Sequence, residues 1–323
     1  MKLRTIWRAP LAVAYWLGAM GSKAFDEGGD IVFLGHGTPR PHARGLELQL
    51  RYLQRLFQLV PFGTIATSAT DGARTGRKRR AAIVFDDGLR NNVTVAYPIL
   101  RSLGIPATFF ACPGLIEDRK WLWTHEARRR LRFATPEQRH ELAVALKAPS
   151  GIDGFVQWMK GLSLADRANA EAAVRHATRA FVPTAADRAA CDLADWDELR
   201  TLDPAIVTIG SHTMTHPILS KLSDAEIEAE LRESRRMLEE KLDRSVDYFA
   251  YPNSDTDRRA VAAARRHYRG AVAHSSGVPL DTHLVPSVHL PANVLRLALD
   301  LNLPNPVSPR APRHFAGTGT SAL

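Results

Sequence analysis

From residue 30 onward, short apolar runs alternate with stretches whose apolar positions recur at helical spacing. Ile31-Val32-Phe33-Leu34-Gly35 is the first run and ends in Gly35-His36-Gly37. Over residues 43–59, Leu46, Leu50, Leu53, Leu56 and Phe57 share one helical face. Residues 81–85 read as a buried strand, 91–103 as a helix interrupted or kinked near Pro98, and 106–111 as a strand again. Residues 121–197 differ: they are rich in Ala, Arg, Glu and Leu, with helical patterns over 136–147 and 163–181, and read as a helical insertion covering one side of the fold. A strand over 205–210 follows. Ser223 with Glu226 three residues later predicts a capping box. It opens a helix to about Leu242 whose apolar side carries Ile227, Leu231, Met237 and Leu238. Then come a strand over 246–250, a helix over 257–267, short strands around Ala271 and Leu284, and a helix from Ala292 to about Asp300. Strands alternating with helices in this way predict a parallel sheet, open or closed into a barrel.

Polar clusters fall where predicted strands end, at the rim where parallel α/β folds place their chemistry. They are His36, Asp86-Asp87-Gly88, Ser211-His212-Thr213-Met214-Thr215-His216, and Tyr251-Pro252-Asn253. Two histidines four residues apart can meet at one metal through a helical turn or a tight loop. With them stand two adjacent carboxylates, one able to bind the metal and one to move a proton, a set suited to metal-assisted hydrolysis. Alone, Asp-Asp-Gly also reads as a polar turn closing a strand, and the histidine pair as a surface pair. Ser211 and Thr213 are placed to hydrogen-bond the histidine loop. The rigid Pro252 can present the Asn253 N–H to a developing oxyanion, or simply form a turn. His36 faces the pocket or is an ordinary loop histidine.

The 323 residues carry 43 Lys and Arg against 34 Asp and Glu, a net charge of +9. That excess suits nucleic acid, anionic lipid or an acidic polymer. However, the basic residues are scattered, with Arg77-Lys78-Arg79-Arg80 the one dense run, so an Arg-rich enzyme that binds no nucleic acid fits better. Hydrophobic residues at 45% and charged residues at 24% exclude a disordered or multispanning chain. Two cysteines, Cys112 and Cys191, permit one disulfide but no thiolate metal site, and point to a reducing compartment. Residues 1–29 begin Met1-Lys2-Leu3-Arg4 and continue into an apolar stretch from Ala9 to Gly21. This is read as an amphipathic segment, packed on the domain or lying on a membrane surface as a peripheral contact. An atypical signal peptide stays open, and the expected location is cytoplasmic, with or without membrane association. Beyond Pro304, residues 304–323 are expected to form a disordered tail.

Taken in order, these motifs resemble the polysaccharide deacetylase family, the NodB-homology carbohydrate esterases of family 4. The likeness rests on Asp86-Asp87-Gly88, His212-Thr213-Met214-Thr215-His216-Pro217 and the Pro252 strand end. Gly35-His36, Ala107-Thr108-Phe109-Phe110 and Asp195-Trp196 to Leu199 support it, over a span from about Asp30 to Arg296. The resemblance implies a distorted (β/α) barrel over 30–303, with the helical insertion at about 121–197. It also implies one divalent metal, Zn2+ first and Co2+, Ni2+ or Mn2+ as substitutes. Asp87, His212 and His216 match the metal-ligand positions, and Asp86 matches the general base. The implied reaction removes acetyl or other acyl groups from a polysaccharide, glycan or glycolipid precursor. A metal-activated water attacks the acyl carbonyl, Asp86 takes its proton, and the Asn253 N–H helps hold the oxyanion.

The chain also departs from the family pattern. Ala250 stands where an Arg would orient the base, and Asn253 where a Tyr follows the proline. The family's late histidine, the general acid, has its best counterpart in His289, with His283 next. Tyr251, Pro252 and His36 are taken as pocket residues. Competing readings are a silent carbohydrate-binding homologue and a deformylase acting on an amino-sugar lipid. A nucleotide-sugar transferase would leave His212 and His216 unexplained.

Overall fold

The computed structural model describes residues 29–68, 79–273, 281–291 and 293–302. The N-terminal apolar stretch, Arg77-Lys78 and the tail lie outside them. Eight strands form one parallel sheet: β1 Ile31–Gly35, β2 Gln58–Leu59, β3 Arg80–Phe85, β4 Ala107–Ala111, β5 Val207–Ser211, β6 Tyr248–Ala250, β7 Gly270–Ala273 and β8 Val285–His289. Neighbours run β1-β8-β7-β6-β5-β4-β3, and β3 pairs back to β1, which closes a seven-stranded barrel. In register, Phe33 faces Ile83 on one side and Val288 on the other. β2 adds to the start of β3.

The helices are α1 Ala43–Leu56, α2 Phe62–Ser68, α3 Tyr97–Leu103, α4 Pro113–Glu117, α5 Trp123–Phe133, α6 Pro136–Leu146, α7 Ile152–Lys160, α8 Leu164–Ala177, α9 Ala185–Cys191, α10 Trp196–Arg200, α11 Asp224–Leu242, α12 Arg258–His267 and α13 Val294–Asn302. No described helix is long and apolar enough to cross a membrane.

Strand parity builds the layers, because successive side chains point to opposite faces. Val32 and Leu34, Ala82 and Val84, Phe110, Ala250, Val272 and Val285 form one buried cluster, the barrel lumen. Phe62, Ile65 and Ala66 of α2 join it. The α2 fit is close: a Cβ on Gly63 would collide with the Tyr248 hydroxyl. Alternate residues such as Phe33, Ile83, Phe85 and Phe109 pack outward against Leu46, Leu50 and Leu53 of α1 and the other surrounding helices. α5, α7 and α8 carry a separate apolar core of Trp123, Leu131, Phe155, Met159 and Val174, which reaches the barrel through Ile218.

Some elements differ from their sequence outlines. The break near Pro98 is a π-turn over Asn92–Ala96, after which α3 restarts with the proline in its first turn, where its missing N–H costs nothing. The first helix stops at Leu56, freeing Gln58 and Leu59 to pair with β3. Cys112 and Cys191 are both buried free thiols.

Candidate metal centre

The lumen phase of each strand continues one step beyond the barrel. Asp86 follows Ala82 and Val84, His212 follows Gly210, His36 follows Leu34, and His289 follows Val285 and Ser287. The polar clusters therefore converge above the lumen. Consecutive residues such as Asp86 and Asp87 would normally diverge, but Asp87 takes a left-handed φ of 76° and Gly88 follows at 68°. That turn brings the Asp87 carboxylate to the same centre. A Cβ on Gly88 would stand 3.1 Å from Ala111, so the chain passes close to β4 there.

His212 and His216 lie on a tight loop. Thr213 at φ 68° and His216 at φ 56° both sit in the left-handed region. This is an uncommon conformation for a β-branched residue and costs of order 1–3 kcal/mol. Hydrogen bonds hold the loop. The Thr213 hydroxyl donates to the His212 carbonyl and accepts from the His216 N–H at 3.0 Å. Glu230 of α11 accepts from the Met214 and Thr215 N–H groups at 2.7 and 3.1 Å, and from the Thr215 hydroxyl at 2.7 Å. The Trp123 indole N–H donates to the His216 carbonyl at 2.9 Å, and the Cys112 thiol to the His212 carbonyl at 3.2 Å. Ser211 turns away to Ser234 at 2.8 Å.

The buried side chains of Asp87, His212 and His216 form a group able to hold one metal ion, with donor atoms within 4.8 Å of one another. His212 Nε2 is 3.7 Å and His216 Nε2 3.5 Å from Asp87 Oδ1. Those spacings are long for hydrogen bonds. They match the edge of a tetrahedron with bonds of about 2.0–2.1 Å, which is about 3.4 Å. His212 Nδ1 lies 2.8 Å from the Ala250 carbonyl, which can only accept, so Nδ1 carries the proton and Nε2 is free to bind metal. Burial pushes His212 down to about 4 and His216 to about 3, with the neighbouring His212 adding to the effect on His216. Both are thus neutral near pH 7, as imidazoles that bind a metal must be. For Asp87, burial works upward, but His36, His216, His125 and His212 outweigh it and hold the carboxyl below its usual range. The residues present fit a divalent cation.

Asp86 is buried beside this group. Its Oδ1 meets no hydrogen-bond partner among the described residues, and burial, then the charge of Asp87, push its carboxyl well above the usual range. Ala250 supplies no cation to oppose that. Asn253 adopts φ 54° on a 3-10 turn whose bonds run from Ser254 to Tyr251 and from Asp255 to Pro252, leaving its own N–H outside them. Tyr251 and Pro252 are buried, and the tyrosine hydroxyl donates to the His283 carbonyl at 3.0 Å. His289 stacks on His36 with ring centres 5.4 Å apart. His283 precedes β8, at the opposite end of the barrel from the centre, with Nε2 2.9 Å from the Tyr268 carbonyl. His125, Trp123, Lys160 and Glu230 escape the sequence reading. The helices α5 and α7 that carry the first three show no motif, and Glu230 looks like one of many acids on an exposed helix.

The chain belongs to the polysaccharide deacetylase family, whose model matches residues 73–148 and 158–270. Among curated proteins no significant match was found. Among solved structures, the deacetylase PplD of Streptococcus pyogenes in complex with acetate is similar at a TM-score of 0.55 and 14% identity, over 85% of this chain and 98% of that one. IcaB from Ammonifex degensii gives 0.54 and 14%, over 85% and 97%. A polysaccharide deacetylase from Bacillus cereus gives 0.50 and 16%, over 85% and 68%. At such identities these likenesses show a shared fold.

Proposed function

We propose that this protein is a metal-dependent hydrolase that releases acetyl or other acyl groups from a glycan or glycolipid. One observation carries the reading: three neutral or anionic donor atoms converge while a fourth buried polar atom, Asp86 Oδ1, is left open beside them. Asp87, His212 and His216 would hold the ion. Two imidazoles and a carboxylate suit Zn2+ first, with Co2+, Ni2+ and Mn2+ as substitutes. Such an ion supplies Lewis acidity, acidifying water and polarising an acyl oxygen. The remaining work falls to the chain. Asp86, with no cation to hold its proton off, accepts the proton of the attacking water. The Asn253 N–H steadies the oxyanion, and His289, positioned by its stack on His36, protonates the leaving group. Family membership supports acetyl as the acyl group, and so does the acetate held by the similarly folded PplD deacetylase.

The test is acetate release across acetylated glycans, with and without a chelator. Release that stops on chelation and returns with metal supports the reading. Formate instead of acetate identifies a deformylase. No acyl release from any glycan by metal-loaded protein leaves a silent carbohydrate-binding homologue.

A further inference from the structure

The buried face of α8 holds a residue of unexpected type. Arg167, Ala170 and Val174 fall three and four residues apart and are all buried, and the last two belong to the apolar core shared with α5 and α7. An apolar side chain would fill the first position without the cost of burying a cation. Arg167, only 8% exposed, instead lays its guanidinium over the Trp123 ring, 4.9 Å from the ring centre. Its Nε donates to Glu171 at 3.2 Å, Glu171 also accepts from Arg175 at 3.1 Å, and Arg175 donates to Glu126 of α5 at 2.7 Å. That ladder ties α8 to α5 and fixes the guanidinium against the indole. The indole in turn donates to the His216 carbonyl at 2.9 Å. His216 depends on such support. Its Nδ1 has no hydrogen-bond partner among the described residues, whereas His212 Nδ1 is steered by the Ala250 carbonyl. The aim of His216 Nε2 therefore follows its left-handed backbone, which Thr213 holds at the N–H and Trp123 at the carbonyl.

We propose that Arg167 is a positioning residue of the metal centre: from α8 it clamps the Trp123 indole, whose N–H sets the carbonyl of His216 and so the aim of its Nε2. This rests on the metal-centre part of the reading above and is independent of which acyl group or sugar is the substrate.

Two measurements on the full chain test it. One is Zn2+ affinity, by competition with a chromophoric chelator. The other is hydrogen exchange of the Trp123 indole N–H in the metal-free protein, read by NMR and assigned by its absence from Trp123→Phe. Arg167→Met should weaken Zn2+ binding about tenfold or more, as loss of an outer partner of a metal ligand does, and should speed the indole exchange. Met159→Ala, which opens a cavity in the same helical core, should lower Tm yet keep Zn2+ affinity within about threefold. In a Trp123→Phe background, Arg167→Met should cost little further affinity, because the bond it supports is already gone. Losses that add in the double variant, or a loss in Met159→Ala as large as that in Arg167→Met, overturn the proposal. If Arg167→Met does not fold by circular dichroism, Arg167→Lys carries the same comparisons with losses of about threefold, since it keeps the charge but not the flat group over the ring. Faster indole exchange in the variant, with no Zn2+ taken up by the parent, keeps the clamp and overturns the metal reading. Equal Zn2+ affinity in parent and variant does the reverse.

Discussion

Asp86 is the residue on which the proposed chemistry turns, because its environment strengthens it as a proton acceptor. Burial and the adjacent Asp87 charge both act upward, and no cation opposes them. Asp86→Asn keeps the shape and removes the proton acceptor. The variant should retain its metal by elemental analysis and lose about two or more orders of magnitude in acyl release. The two ligand histidines give a second prediction. Their folded values of about 4 and about 3 lie below the ordinary 6.5. Below pH about 6.5 the unfolded chain therefore binds protons that the folded chain refuses. Their contribution to the stability of the metal-free protein should be flat above that pH and fall as pH drops toward about 4. Asp86 acts with the opposite sign, since its raised folded value gains stability on acidification, so the observed slope is the difference. Urea midpoints of chelator-treated protein from pH 8 to 4 measure it, and His212→Asn should flatten the fall. At this scale much was legible. Strand parity alone puts His36, Asp86, His212 and His289 on the lumen side, whereas the left-handed turn at Asp87 leaves no mark in the periodicity.

Among the elements, α11 does more than cover the barrel. Glu230 collects two backbone N–H groups and a hydroxyl from the histidine loop, and burial raises its carboxyl despite those bonds from Thr215 and Met214. The loop holds two left-handed residues, so it needs such a brace. Glu230→Ala should weaken metal affinity about tenfold or more, read by competition with a chromophoric chelator, while the fold measured by circular dichroism persists. Glu230→Gln, still an acceptor, should lose less. The Ser223 and Glu226 box opens α11 as its spacing predicts, whereas the like box of Thr135 and Gln138 that caps α6 went unread. Strands were legible to within a residue or two. β2 and α2 were missed because a two-residue strand has no periodicity and α2 is too short to show a face.

The whole molecule is a barrel that supplies the ligands and a helical body that supplies one wall. Closure of the barrel could not be read from periodicity, since alternating strands and helices fit an open sheet equally well; the family resemblance implied it, and the β1–β3 pairing shows it. The wall was still less legible, because its helices reveal their order only through a shared core. One contact between the two bodies is the indole of Trp123, hydrogen-bonded to the carbonyl of His216. An indole in that position is an optical probe already built into the protein. Metal loading should alter the intrinsic emission, chelation should restore it, and Trp123→Phe should abolish the change while the other tryptophans still shine. Occupancy of the centre can thus be followed by light alone, without a substrate in hand.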